Sequence, residues 1–215
     1  GYPASCGERV WPVAYADPAS FAARAVAGMW QSLGGSVAGQ VREGRVPAGL
    51  APAFELRSPP LAEVLRDINK YSNNVMAQQL FLTLSREPRG VGTLEGSREV
   101  LRAWWQSRIG GEPPVIENGA GLARGDRVTA RQLAQLLQLA WRSPLMPELV
   151  SSLPIAGLDG TLRRSQAGAV AHLKTGSLRD VAGVAGYVHG ASGRRYVLVA
   201  IANHANAGAV RSLFD

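Results

Sequence analysis

Ala171-His172-Leu173-Lys174-Thr175-Gly176-Ser177 is a short strand-like run that ends in a charge and a kink. On a strand, Lys174 and Gly176 point to one face and Leu173 and Thr175 to the other, because successive side chains alternate. Roughly 100 residues upstream stands Ser72-Asn73-Asn74, directly before an apolar stretch that opens at Val75. Ser72 opens a predicted helix and Lys174 sits on a predicted strand.

The flanking sequence supports that arrangement. Val181 to Val188 and Arg195 to Ala202 are glycine-rich and β-branched, and they read as two antiparallel strands. Ala205 onward reads as a closing helix. Upstream the pattern is helical. Ser58-Pro59 opens a helix with Leu61, Val64, Leu65 and Ile68 on its buried side, and Ser72 reads as the cap of the next, Val75 to Leu84. Thr93 to Arg108 carries Trp104 and Trp105. Thr129 caps a helix through Leu133, Leu136, Leu137 and Trp141, and a short helix follows Pro144. Near the amino end, Val10-Trp11-Pro12-Val13 marks an incoming strand or loop. Asp17-Pro18 starts a helix with Phe21, Ala25, Met29 and Trp30 on one face, ended by Gly34-Gly35. Phe54-Glu55-Leu56 reads as a strand. A helical middle followed by a meander of strands is an α/β pattern with an antiparallel sheet flanked by helices and a helical subdomain.

At 215 residues the chain can bury a real core, and 46% hydrophobic with 18% charged residues excludes disorder. The net charge of +7 comes almost wholly from arginine, because Lys70 and Lys174 are the only lysines. No basic run is interleaved with aromatics, so nucleic acid is not an expected partner. A single cysteine, Cys6, cannot form an internal disulfide. His172, His189 and His204 share no metal-ligand spacing, and no metal or other cofactor is expected. Glu55, Glu63 and Asp67 read as solvated charges, and Trp104 and Trp105 as core and groove lining.

The chemistry resides in the two opening segments. Lys174 offers a positive charge for a substrate carboxylate and Thr175 adds a hydroxyl. Gly176 lets a peptide approach an edge strand without a side chain in the way, and the Ser177 amide can supply half of an oxyanion hole. Taken alone, this is also what a solvated lysine before a turn looks like. Ser72 alone is an ordinary helix cap. In the functional reading its hydroxyl relays a proton, while the Asn74 amide donates to one group and accepts from another.

Lys-Thr-Gly and Ser-x-Asn, in this order and separation, resemble two of the three signatures of the penicillin-binding proteins and serine β-lactamases. Two further segments resemble the class C low-molecular-mass branch, the D-alanyl-D-alanine carboxypeptidases and endopeptidases. They are Glu117-Asn118-Gly119-Ala120-Gly121-Leu122-Ala123-Arg124 and Gly157-Leu158-Asp159-Gly160-Thr161-Leu162-Arg163-Arg164. Ala120 and Ala123 stand where that branch often has serine. The resemblance covers roughly residues 50–215. It implies a partial serine β-lactamase/DD-peptidase fold, with 36–215 as part of a catalytic domain (helical about 58–165, sheet about 36–57 and 166–215). Residues 1–35 would be the end of an inserted region or an incoming helix.

The third signature, Ser-x-x-Lys, is absent: Asp67 and Ala171 lie three residues before the two lysines. The resemblance therefore implies that the nucleophile and its lysine base belong to a segment upstream of this chain, and that the 215 residues alone are inactive. It assigns Ser72, Asn74 and Lys174 to catalysis and Thr175, Gly176 and Ser177 to substrate binding. It also implies peptidoglycan stem peptides and β-lactams as partners and a periplasmic location. A non-catalytic glycopeptide-binding module, and a related β-lactamase or esterase, are the alternatives.

Overall fold

The computed structural model describes residues 3–8, 15–40, 44–168 and 170–213. The chain divides into two compact units, Gly1–Leu56 and Arg57–Asp215. Val10-Trp11-Pro12-Val13 lies outside the described residues.

The first unit is built around helix α1, Pro18–Ser32, with proline in its first turn and Gly34 in the left-handed region (φ 84°) just past its end. Asp17 is the residue before the first turn, as Asp17-Pro18 predicts, but its side chain makes no capping hydrogen bond. The apolar face is present but bare: Phe21, Met29 and Trp30 are all exposed. Tyr15 lies against Phe21, and the Trp30 indole donates to the Ser36 carbonyl at 3.2 Å. Phe54-Glu55-Leu56 is irregular rather than a strand, with Phe54 and Leu56 exposed. A strand needs a neighbour to complete its ladder, and no strand is described anywhere in 36–57.

The second unit contains α2 (Leu61–Tyr71), α3 (Asn74–Arg89), α4 (Leu94–Arg108), α5 (Ala130–Trp141) and α6 (Met146–Ser152). The strands β1 (Ala171–Leu178), β2 (Val181–His189) and β3 (Arg195–Asn203) follow, antiparallel and in sequential order. The closing segment is a 3-10 helix, Ala207–Leu213, where an ordinary helix was expected. Caps explain the helix starts. Thr93 accepts from the Gly96 amide, and Thr129 forms a capping box with Gln132.

The sheet is packed on both faces. Ala171, Leu173 and Val184 face Ala156 and Leu162. The opposite face presents Tyr187, Ala185, Val197 and Val199 to Leu137 and Trp141 of α5 and Leu149 of α6. Tyr187 is 1% exposed and donates its hydroxyl to the Leu137 carbonyl at 2.7 Å, which pins α5 to the middle of the sheet. The strand does not end at Lys174: β1 runs on to Leu178, so Lys-Thr-Gly lies mid-strand, paired as Lys174 with Ala185 and Gly176 with Gly183.

Candidate active site

α2 runs directly into α3 through two residues. Ser72 closes α2 in the left-handed conformation (φ 54°, ψ 48°), and Asn73 is the cap of α3, accepting from the Met76 amide at 3.0 Å. Here the structure corrects the expectation that Ser72 caps the helix. Asparagine is an equally good cap one residue on, and that substitution of roles frees the serine hydroxyl. Left-handed backbone costs a non-glycine residue about 1–2 kcal/mol, so the surroundings hold Ser72 in a geometry it does not prefer.

What the hydroxyl gains is Lys174. The lysine Nζ donates to Ser72 Oγ at 2.8 Å and to the Thr175 carbonyl at 3.0 Å. Burial pushes the Lys174 ammonium below the ordinary lysine range. A carboxylate arriving beside it would favour the charged form and reverse that shift. Ser72, Asn74, Lys174, Thr175, Gly176 and Ser177 all line one cleft of about 430 Å³. The loop of Gly119 to Leu122 also lines it.

Strand β1 is at the sheet edge. At its start the outward groups are taken: Leu173 donates to the Pro154 carbonyl at 2.9 Å and the Ala171 carbonyl accepts from Ala156 at 3.0 Å. Alternation then turns the amides of Thr175 and Ser177 off the same edge, beside the cleft. Thr175 Oγ1 meets Thr161 Oγ1 at 3.0 Å.

Asn74 departs from expectation. Oriented by its hydrogen bonds, its amide nitrogen donates to the carbonyls of Ser72 at 3.1 Å and Ala120 at 3.3 Å. Both N–H bonds are thereby spent on backbone, so Asn74 has only its carbonyl oxygen for a ligand or an ammonium. Because Ala120 contributes its carbonyl, a serine side chain is not required for this contact.

The loop with Ala120 is drawn tightly onto α3. Gly119 donates to Gln78 Oε1 at 2.8 Å, and a Cβ there would stand 2.2 Å from Phe81 Cβ. Arg98 donates to the Glu117 carbonyl from Nε at 2.8 Å and Nη2 at 2.6 Å. Farther along, Arg124 Nη1 donates to the Arg179 carbonyl at 2.7 Å, joining this loop to the β1–β2 turn.

Sequence reasoning missed Lys70. It is 8% exposed and donates from Nζ to Asp159 Oδ2 at 2.5 Å and to the Leu153 carbonyl at 2.7 Å. Burial raises the Asp159 carboxyl, but the Ile155 amide and the Lys70 ammonium outweigh it and hold the group below the usual range. Gly160, at φ 55°, lies against the Lys70 backbone, where a Cβ would come 2.5 Å from the carbonyl oxygen. This explains the Gly-Leu-Asp-Gly-Thr-Leu segment: its side chains and backbone fasten the end of α2. Its signal in the sequence was a buried-type motif with an acid and no partner yet named.

The other candidates do not join the site. Glu63 and Asp67 are exposed on α2, and Glu55 lies in the first unit. Trp104 and Trp105 both line a separate apolar cavity between α4 and α5, and Trp105, 3% exposed, is hydrogen-bonded to the Gly110 carbonyl. His172 and His189 stack at 5.5 Å between ring centres, and His172 Nδ1 pairs with the Val150 carbonyl at 3.1 Å. Among the described residues, no three His, Cys, Asp or Glu side chains converge as a metal site.

A cleft between an edge strand carrying Lys-Thr-Gly and a helix start carrying Ser-x-Asn, over a helix-flanked antiparallel sheet, defines the penicillin-binding DD-peptidase class of fold. Penicillin-binding protein 4 of Haemophilus influenzae, solved with a β-lactam, superposes with a TM-score of 0.76 at 24% identity, over 89% of this chain and 46% of that one. The chain belongs to the D-Ala-D-Ala carboxypeptidase 3 (S13) family, whose model matches residues 1–212. It is 33% identical to a D-alanyl-D-alanine carboxypeptidase of an Actinomadura species, over 89% of this chain and 38% of the relative. Against carboxypeptidase DacB of Mycolicibacterium smegmatis the identity is 32%, over 70% and 35%. The chain thus spans somewhat over a third of the length of the curated relatives it matches.

Proposed function

We propose that this chain forms the Ser-x-Asn and Lys-Thr-Gly side of a peptidoglycan D-Ala-D-Ala carboxypeptidase/endopeptidase that works through a serine acyl-enzyme. The observation that carries the reading is the 2.8 Å contact of Lys174 Nζ with Ser72 Oγ inside a cleft shared with Asn74 and residues 175–177.

In this reading Lys174 and Thr175 hold the terminal carboxylate of a stem peptide, or the equivalent group of a β-lactam, and Gly176 admits its backbone to the strand edge. The nucleophilic serine and its lysine base come from a segment outside these 215 residues. That serine attacks the peptide carbonyl, and the acyl-enzyme is then hydrolysed. Ser72, hydrogen-bonded to an ammonium, passes a proton toward the leaving amine. The Asn74 carbonyl orients the incoming lysine or a substrate N–H, and the Ser177 amide faces the developing oxyanion. Removing one oxyanion donor in such sites costs about 100–1,000-fold in rate. The family's substrate lies outside the cytoplasm, and we place the protein there. No described helix is long and apolar enough to cross a membrane.

Labelled penicillin tests the proposal. The natural polypeptide that carries these residues should take up one equivalent on a serine upstream of them and release D-alanine from a D-Ala-D-Ala peptide. The 215-residue chain should take up none. An adduct on Ser72 or Ser177 would overturn the assigned roles. No adduct on the whole polypeptide, with saturable peptide binding that Lys174→Ala abolishes, would make it a non-catalytic binding module.

A further inference from the structure

The Lys70–Asp159 pair lies behind the cleft and touches nothing in it, yet it joins the two elements that make the cleft. Lys70 is two residues before Ser72, in the last turn of α2. Its ammonium reaches into the segment that follows α6 and binds two points there, the Asp159 carboxylate and the Leu153 carbonyl. The neighbouring Asn69 reinforces the attachment by donating to Ser152 Oγ at 2.8 Å. The same segment is stitched to β1. The Pro154 carbonyl accepts from Leu173, Ile155 bridges His172, and Thr161 meets Thr175.

These contacts close a ring. From Ser72 the path runs two residues back to Lys70, across to Leu153, one residue on to Pro154, across to Leu173, and one residue on to Lys174. The Lys174–Ser72 hydrogen bond completes it. Every step is either covalent or a hydrogen bond of 2.9 Å or less. Gly160 seals the arrangement by letting the segment lie flat against the Lys70 carbonyl. Such a ring answers the question raised by Ser72, whose left-handed backbone must be held from outside.

We propose that Lys70 is a positioning residue: clamped between Asp159 and the Leu153 carbonyl, it fixes the end of α2 to the strand of Lys174 and so keeps the Ser72 hydroxyl on the Lys174 ammonium. The role in catalysis rests on the acyl-transfer reading above. The positioning itself does not, and it can be read without any turnover.

The chain's two lysines make the measurement direct. With lysine labelled at Cε, the 215-residue chain gives two side-chain NMR signals, and Lys70→Met leaves that of Lys174 alone. Wild-type Lys174 should titrate below the ordinary lysine range, as its burial dictates. In Lys70→Met its midpoint should move up toward that of free lysine and its signal should lose through-space contact with Ser72, while the amide signals of the sheet core stay dispersed. Asp159→Asn removes the charge and keeps an acceptor, and it should shift Lys174 the same way by less. An unchanged Lys174 signal in a folded Lys70→Met or Asp159→Asn chain overturns the proposal. So does loss of dispersion throughout both variants, which would make the pair a requirement of folding alone. Failure of the natural polypeptide to take up penicillin would defeat the acyl-transfer reading and leave the NMR result standing, so the two failures are distinct.

Discussion

Replacing Gly160 with alanine places a methyl group against the backbone of Lys70, and the structure allows the cost to be worked out. Two terms contribute. Gly160 sits at φ 55°, where an alanine loses about 1–2 kcal/mol to local strain. The new Cβ would stand 2.5 Å from the Lys70 carbonyl oxygen, a backbone atom that cannot swing aside as a side-chain tip can. Forcing a buried contact of this kind typically costs another 1–3 kcal/mol. The sum is about 2–5 kcal/mol, equivalent to a fall in midpoint of roughly 10 °C for a unit of this size. Gly90→Ala supplies the internal reference. That glycine, at φ 76°, has open space where a Cβ would go, so its variant carries the strain term alone and should lose roughly 3 °C. Thermal unfolding followed by near-ultraviolet circular dichroism reads both. If Gly160→Ala melts within 2 °C of Gly90→Ala, roughly the scale of a negligible difference here, the close approach of this segment to α2 is not what sets its stability.

Two further outcomes follow from the same geometry. Ser72→Gly should be more stable than Ser72→Ala by about 1 kcal/mol in urea unfolding, the reverse of the usual helix order, because only glycine adopts the left-handed backbone freely; an alanine variant that equals or exceeds the glycine one would deny the strain at Ser72. The pH dependence has a defined sign. Burial, with His189 and Lys70 nearby, lowers the His172 imidazole in the folded chain, against the opposing pull of the Val150 carbonyl and Asp159. The unfolded imidazole titrates near 6.5, about the model-peptide value. The unfolded state therefore binds the extra proton first. This contribution to stability is complete above about pH 6.5 and is lost as pH falls through the lower folded value. Asp159, also lowered, adds a second loss farther into acid. His172→Gln should flatten the first limb and leave the second, and an unaltered limb near neutrality would remove His172 as its source.

The architecture was legible where local pattern and tertiary contact agree. Thr129 caps the helix it precedes, the helix expected over Thr93 to Arg108 forms with Thr93 as its cap, and the β-branched runs after Lys174 form the sheet, because their alternation matches two packed faces. Legibility failed where a residue's role depends on something distant. At 100° per residue, Lys70 points about 200° away from Ile68 on the wheel of α2, so no apolar stripe could include it. It is buried because Asp159, 89 residues later, is folded beneath it. The Ser72 cap was misplaced by one residue for a related reason. A left-handed helix end is usually marked by glycine or asparagine, and a serine there gives no such mark. The face of α1 shows the converse: its period was plain, and the described residues of its own unit leave Phe21 and Met29 uncovered.

One detail of the cleft has a mechanical consequence. Its two walls are tied together at both ends, but by fastenings of different durability. At the Lys70 end the ammonium and its bond to the Leu153 carbonyl are buried, and only the Asp159 carboxylate reaches water. At the other, two residues past Leu122 and two past Ser177, the tie is an exposed bond from Arg124 to the Arg179 carbonyl. Water competes for such a bond on the nanosecond scale of surface side chains. A buried bond at one end and an exposed one at the other make the mouth the more compliant end of the slot.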